Sequence, residues 1–406
     1  MKSIFIFFCF AALASAGIPA LGQQNDNASA GGKEIIGYYP SWKWRTMDTP
    51  MTPAKIPYDK LTMINYAFFY PLPDGEIAGR DSLGDAMILK GERDSASGTY
   101  QANTALTGLA HQHGVKVLLS VGGWADSYNF PEAASGSTTR ETFAHSCVER
   151  IREFGFDGID IDWEFPGYAD HKGTPDDKVN YTLLLQTTRD SLDALEKQTG
   201  KKFLLTAALP AGAVLAEGFE VEKIARILTM LNVMTYDFSG SWDSLSGYNA
   251  PLYSPRTGDS TRNVDAAFRL YTGTYKVPAS KINIGVPFYA HTFMQCTAPY
   301  APFAGSDTIH FSSHGSDYND IMTIIGKFTR HWDDRAKVPY LVSTKWNEFI
   351  SYDDEESIEL KAQYVLDHNA CGIGIWEITG DYLPNGVSPL LDVIHAKFIG
   401  ETIKKL

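Results

Sequence analysis

The chain has 406 residues, 44% of them hydrophobic and 20% charged, the make-up of a folded globular protein with a large core rather than a disordered or fibrous one. A net charge of −13 without long basic runs argues against a nucleic-acid partner and fits an uncharged substrate. The length exceeds an ordinary single domain but suits an α/β barrel, which often runs long as one unit.

The chain opens on "MKSIFIFFCFAALASAG": one lysine, an apolar run from Ile4 to Leu13, then the small residues Ala14, Ser15 and Ala16, suited to cleavage. This is the pattern of a secretory signal peptide, assigned to residues 1–22. The run falls short of the ~20 residues that a membrane-spanning helix needs. Export to the extracellular space, or to a periplasm, is therefore expected, with no membrane partner. Residues 23–32 read as a flexible lead-in. Once Cys9 leaves with the signal, Cys147, Cys296 and Cys371 remain, widely separated. They form no CxxC metal spacing and no disulfide framework, though one disulfide with a spare thiol stays open.

From Glu34 onward, apolar runs alternate with helical patterns. Strands are predicted at 34–39, 63–69, 115–121, 158–164, 203–209, 232–238, 282–289 and 372–376. The clearest helix covers 176–198, with Thr174 as N-cap, Pro175 in the first turn, Asp176 and Asp177 favoured by the helix dipole, and Gly200 closing it. Eight strand–helix units predict an α/β protein, a closed (β/α)8 TIM barrel. An open doubly wound sheet is the alternative, but "GYYPSWKW" has only Gly37 where such a sheet wants a glycine-rich phosphate loop. The stretch between strands 7 and 8 is too long for one crossover helix and rich in Phe, Tyr, Trp and Ile. It predicts a small α+β insertion subdomain plus a barrel helix over 290–367, with the barrel itself over 33–289 and 368–406.

The most unusual segment is "DGIDIDWEFPG", residues 157–167. In a strand, alternate side chains share a face, so Asp160, Asp162 and Glu164 point one way while Ile159, Ile161 and Trp163 point the other. The apolar set packs on surrounding helices, which aims the acids into the barrel and toward its C-terminal mouth, where barrel enzymes place their chemistry. Asp157 has the opposite parity and belongs to the strand entrance. Residues two apart on a strand are ~6.6 Å apart. At an effective dielectric of ~20, two ionised carboxylates at that distance repel by about 2.5 kcal/mol. The trio should therefore hold at least one proton and titrate as a coupled set. A protonated Glu164 at the mouth is a ready general acid, with Asp162 behind it to pass or share a proton. A calcium or magnesium site is the competing reading, but this segment lacks the polar, glycine-broken loop of a calcium motif.

These residues resemble a known family. "DGIDIDWE" is similar to the DGxDxDxE signature of glycoside hydrolase family 18, the chitinases and their relatives. "LLSVGGW" (118–124), "MTYDFSGSW" (234–242), "YNAPLY" (248–253) and residues 351–381 resemble further family motifs, in order along nearly the whole mature chain. The resemblance implies a retaining hydrolase of β-1,4-linked N-acetylglucosamine whose nucleophile is the substrate's own acetamide, one of the exceptions to the two-carboxylate scheme. Glu164 would protonate the glycosidic oxygen and later activate water. Asp162 would orient the acetamide N–H, and Asp160 would hold the proton that Asp162 gives up. Tyr236 would donate to the acetamide oxygen, Asp237 would hydrogen-bond the sugar, and Trp376 would form the floor beneath it. Tyr38, Phe68 and Met234 would complete the acetamide pocket. Ser120 would hydrogen-bond Asp160, Gly122 and Gly123 would allow close backbone approach rather than touch the chemistry, with Gly123 counted among the substrate-binding residues, and Trp124 would stack on a neighbouring sugar. Tyr289 matches the family, but Ala290 and His291 stand where it often has Gly-Arg, which removes a guanidinium fork. Arg80 and Lys345 are candidate replacements.

The expected function is thus that of a secreted, monomeric chitinase acting on chitin or chitooligosaccharides without metal or cofactor. The alternatives are an endo-β-N-acetylglucosaminidase of N-linked glycans and a non-catalytic chitin-binding lectin. Glu164, Asp162 and Tyr236 favour an enzyme over a lectin, and the insertion favours a long linear polymer over a glycan.

Overall fold

The computed structural model describes residues 32–46, 51–311 and 316–401. The expected signal peptide and all but the last residue of the lead-in lie outside them. Eight parallel strands close into a barrel: Glu34–Pro40, Met63–Pro71, Lys116–Gly122, Gly158–Asp162, Leu204–Pro210, Met230–Met234, Ile282–Pro287 and Gly372–Trp376, here barrel strands 1 to 8. Each pairs with its successor, and strand 8 pairs with strand 1, so the sheet has no free edge among them. One further strand, Ile77–Gly79, adds antiparallel to the end of strand 2.

Strand 4 follows the alternation its sequence demands. Ile159, Ile161 and Trp163 are fully buried on the outside. Trp163 stacks on Phe130 at 5.0 Å and meets the edge of Tyr181 at 5.8 Å, both rings on surrounding helices. Asp157 sits at the strand's entrance, its carboxylate taking the Val117 N–H and contacting the His111 ring. The strand ends at Asp162, two residues short of the prediction, because the chain turns through Phe165-Pro166-Gly167, where the Tyr168 N–H donates to the Phe165 carbonyl.

The following helix runs from Asp177 to Thr199, and Gly200 closes it in the left-handed conformation. Its start differs from the prediction. Asp177 is buried and accepts the N–H groups of Gly167 and Thr174 as well as the Thr174 hydroxyl, so Thr174 braces the preceding loop instead of capping the helix.

Between barrel strands 7 and 8 lies a five-stranded antiparallel sheet. Its strands lie in the order Ser316–Asp317, Tyr289–Met294, Glu348–Ser351, Val338–Ser343, Thr329–Asp333. Phe293, Phe349 and Val338 pack beneath it with Tyr248 from the barrel. Helix Glu355–Asp367, capped by Asp354, then leads into strand 8. Cys147, Cys296 and Cys371 are all free thiols, so the disulfide left open by the sequence does not form.

Candidate active site

Asp160 lies at the centre of the barrel, fully buried. Its carboxylate accepts four hydrogen bonds, from Tyr38 Oη at 3.0 Å, Ser120 Oγ at 2.8 Å, Thr206 Oγ1 at 2.5 Å and Asn232 Nδ2 at 3.2 Å. Burial raises its pKa, and the hydrogen-bond donors, Thr206 foremost, pull it back down. Ser120 and Thr206 reach it because both stand directly in register with it on strands 3 and 5.

Asp162, one step nearer the mouth, has the opposite environment. It is 4% exposed, and its Oδ1 has no hydrogen-bond partner. Burial pushes its pKa well up, and the charges of Glu164 and then Asp160 push it further. Both inner acids are raised, Asp162 well above the ordinary carboxylate range, so its surroundings favour the neutral form the more strongly.

Glu164 sits in the turn just beyond the strand, partly exposed. Burial first, and then the charge of Asp237, push its carboxyl up to about 8, against the pull of a hydrogen bond from the Trp124 N–H. Its backbone is anchored on both sides. The Glu164 N–H donates to Ser127 Oγ at 2.8 Å, and its carbonyl contacts His171 Nδ1 at 2.6 Å. The raised pKa favours the protonated form of the outermost acid, the form a general acid requires.

An aromatic wall flanks the acids. Trp376, at the end of strand 8, lies nearly parallel to Phe68 at 5.6 Å and tilted against Tyr38 at 5.5 Å. Exposed Trp42 continues the wall, 6.1 Å from Phe68. Lys43 secures this side by binding both Glu377, next to Trp376, and Asp317 of the insertion. Gly123 has φ 86°, and a Cβ there would lie 2.5 Å from the Phe68 ring, so the backbone approach needs glycine. Trp124 is 53% exposed and clusters with Tyr168 and His171. Met234 is half-buried and packs on the main core.

The opposite side is polar. Tyr236 and Asp237 lie past the end of strand 6, not within it as predicted, because Asn249 Oδ1 takes the Asp237 N–H and turns the chain. Tyr236 packs edge-on to Tyr289 at 6.1 Å. Burial raises its phenol pKa, and the charge of Asp162 adds to this. Exposed Asp237 accepts the Tyr289 hydroxyl at 2.5 Å and contacts His291 Nε2 at 2.7 Å. His291, the residue standing where the family often has arginine, is thus in contact with the Asp237 carboxylate. Arg80 is engaged by Asp126, and Lys345 lies exposed in the hairpin turn of the insertion.

Residues 34–381 match the family Glycosyl hydrolases family 18. The chain belongs to glycosyl hydrolase family 18. Chitinase A1 of Niallia circulans is 35% identical over an alignment covering 94% of this chain and 61% of its own length, so the chain spans about three-fifths of that relative. Chitinase 1 of Aphanocladium album is 31% identical, covering 97% of this chain and 92% of its own. Among solved structures, chitinase ChiA74 from Bacillus thuringiensis matches with a TM-score of 0.79 and 31% identity, over 92% of this chain and 71% of that one.

Among the side chains of this family 18 hydrolase's site that went unnoticed in the sequence, three hold the acids themselves. Thr206 and Asn232 hold Asp160, and Ser127 braces the Glu164 backbone. Thr206 and Asn232 carry a faint signal, as polar residues inside otherwise apolar strands. Ser127 sits in a short helical turn after strand 3 and carries none.

Proposed function

We propose that this family 18 hydrolase cleaves β-1,4 bonds between N-acetylglucosamine units in chitin or chitooligosaccharides, with retention of configuration and with the substrate acetamide as nucleophile. The observation that carries the reading is the graded ladder: an inner carboxylate supplied with four donors, a middle one with an unpartnered oxygen, and an outer one pushed up to about 8.

The Glu164 carboxyl donates its proton to the glycosidic oxygen as the bond to the leaving sugar breaks. The acetamide oxygen, oriented by the Tyr236 hydroxyl, attacks the anomeric carbon from the other side and gives an oxazolinium ion. Asp162 accepts the acetamide N–H and stabilises the positive charge, which requires it to be ionised at that moment. Asp160 takes up the proton that Asp162 releases, one of its hydroxyl partners turning from donor to acceptor. The Glu164 carboxylate then removes a proton from water as that water opens the ring, which returns the acid to its starting form. Trp376, Phe68 and Tyr38 exclude water from one face of the sugar, and Asp237 with its partners Tyr289 and His291 presents hydrogen bonds to the other.

Export from the cell is part of the proposal and is supported by the amino-terminal pattern. The competing reading is cleavage of N-linked glycans between paired N-acetylglucosamines. Incubation with chitin oligosaccharides and, separately, with a high-mannose glycoprotein distinguishes them. Cleavage of the oligosaccharides is expected, and hydrolysis of the glycoprotein alone overturns the proposal.

A further inference from the structure

Away from the barrel mouth, the insertion subdomain brings together Asp307, His310 and Glu348. Each offers one ligand atom, and the three atoms lie within 4.8 Å of one another. Asp307 is 4% exposed and Glu348 2%, so two carboxylates converge out of water. Glu348 Oε1 has no hydrogen-bond partner, which leaves a buried acceptor without the donor or positive charge it needs.

The surroundings hold each group in place. Asp307 Oδ1 accepts the N–H groups of Ile309 at 2.7 Å and His310 at 3.0 Å, and its own N–H donates to Thr292 Oγ1 at 2.8 Å. That leaves Asp307 Oδ2 facing His310 Nδ1 at 2.6 Å. The His310 ring lies flat on Trp346, with centroids 3.9 Å apart and planes within 5°. Glu348 is fixed by strand pairing on both sides, opposite Met294 and Ser343. One imidazole and two carboxylates, oriented from a loop and from a strand, form a mixed nitrogen–oxygen donor set. Such a set suits zinc and its first-row neighbours better than calcium or magnesium, which prefer oxygen alone. His310 is 31% exposed and gives an ion a way in from solvent.

We propose that Asp307, His310 and Glu348 bind one divalent first-row transition cation, of which zinc is the fitting probe, and that the ion ties residues 305–311 to strand Glu348–Ser351. Three protein ligands leave a further position for water. The ion's role is structural, since the barrel chemistry runs on carboxyl protons. A proton shared between Asp307 and Glu348 is the other way to keep the two acids together, and the test must separate the two.

The full chain, stripped with a chelator and dialysed, is titrated with zinc chloride and in parallel with magnesium chloride by calorimetry, with melting temperature followed alongside. The expected result is one zinc per chain, a raised melting temperature, and no response to magnesium. Glu348→Gln and His310→Gln should each weaken zinc binding by at least ~100-fold while leaving chitooligosaccharide turnover unchanged below the melting transition. His310 is partly exposed, so its variant reports on the site without disturbing the core. Wild-type protein that takes up no zinc overturns the proposal in favour of a shared proton, whatever Glu348→Gln does to the melting temperature. Zinc uptake that both variants retain at wild-type affinity overturns it equally.

Discussion

Thr206 and Asp160 stand in register on adjacent barrel strands, with the threonine hydroxyl 2.5 Å from Asp160 Oδ1. This bond is one of four that replace water around an acid at the barrel centre. Hydrogen bonds to a charged group contribute about 1.5–3 kcal/mol each. Thr206→Val keeps the shape and removes the donor, so it should lower unfolding stability by about that amount and reduce turnover. Urea denaturation at neutral pH measures the first, and a loss below about 0.5 kcal/mol would show that Asp160 does not depend on this ring of donors.

The pH dependence follows from Glu164. Its carboxyl, pushed up to about 8, is protonated below that value and loses its proton as pH rises through it. In the proposed mechanism the acid form is the working form, so kcat/KM should hold toward neutral pH and fall on the alkaline side with an apparent pKa near 8. Because Asp162 titrates with it, that value belongs to the pair. The same shift acts on folding. The folded state binds this proton more tightly than the unfolded chain, so its stabilising contribution is complete below the ordinary carboxylate range and is lost as pH rises through about 8. Glu164→Gln should remove that part of the slope, which denaturation at a series of pH values reads directly.

His291 contacts Asp237 at 2.7 Å and shares it with the Tyr289 hydroxyl. His291→Ala should leave Asp237 with one partner fewer and a looser hold on the sugar. Steady-state kinetics on chitooligosaccharides should show KM raised ~3- to 10-fold, the worth of one ordinary hydrogen bond, with kcat little changed. An unaltered KM would mean that the contact only fills space.

Substrate participation makes its own demand. Fully deacetylated chitosan offers an amine where chitin offers an acetamide, so it lacks the internal nucleophile. It should resist cleavage under conditions in which chitin oligosaccharides are consumed. Chitosan hydrolysed at a comparable rate would require an enzyme nucleophile instead.

Much of this site is legible in the sequence because a strand has a period of two. The alternation Asp160, Ile161, Asp162, Trp163 allows one facing only, since two apolar residues must be buried on helices. What the sequence hides falls under two physical headings. Strand ends depend on contacts made elsewhere: residues 232–238 read as one strand, yet the Asn249 side chain takes the Asp237 N–H and turns the chain after Met234. Likewise, the buried Asp177 carboxylate recruits Thr174, and the predicted helix cap becomes a loop brace. Partners across strands depend on register, which local pattern does not carry. Thr206 and Asn232 come from strands 5 and 6, and only the closed barrel brings them to Asp160. The Asp307, His310 and Glu348 cluster has the same origin, with its members contributed by a loop and by a strand 38 positions beyond His310.

The central claim is that the outermost acid of the ladder delivers the proton that breaks the glycosidic bond. Glu164→Gln preserves the side chain's size and removes only the ionisable proton. Turnover of a defined chitooligosaccharide by this variant should fall by at least ~10²–10⁴, the range for loss of a general acid, while the circular dichroism spectrum and melting transition remain those of a folded protein. A folded variant working within a few-fold of the wild-type rate would contradict the account.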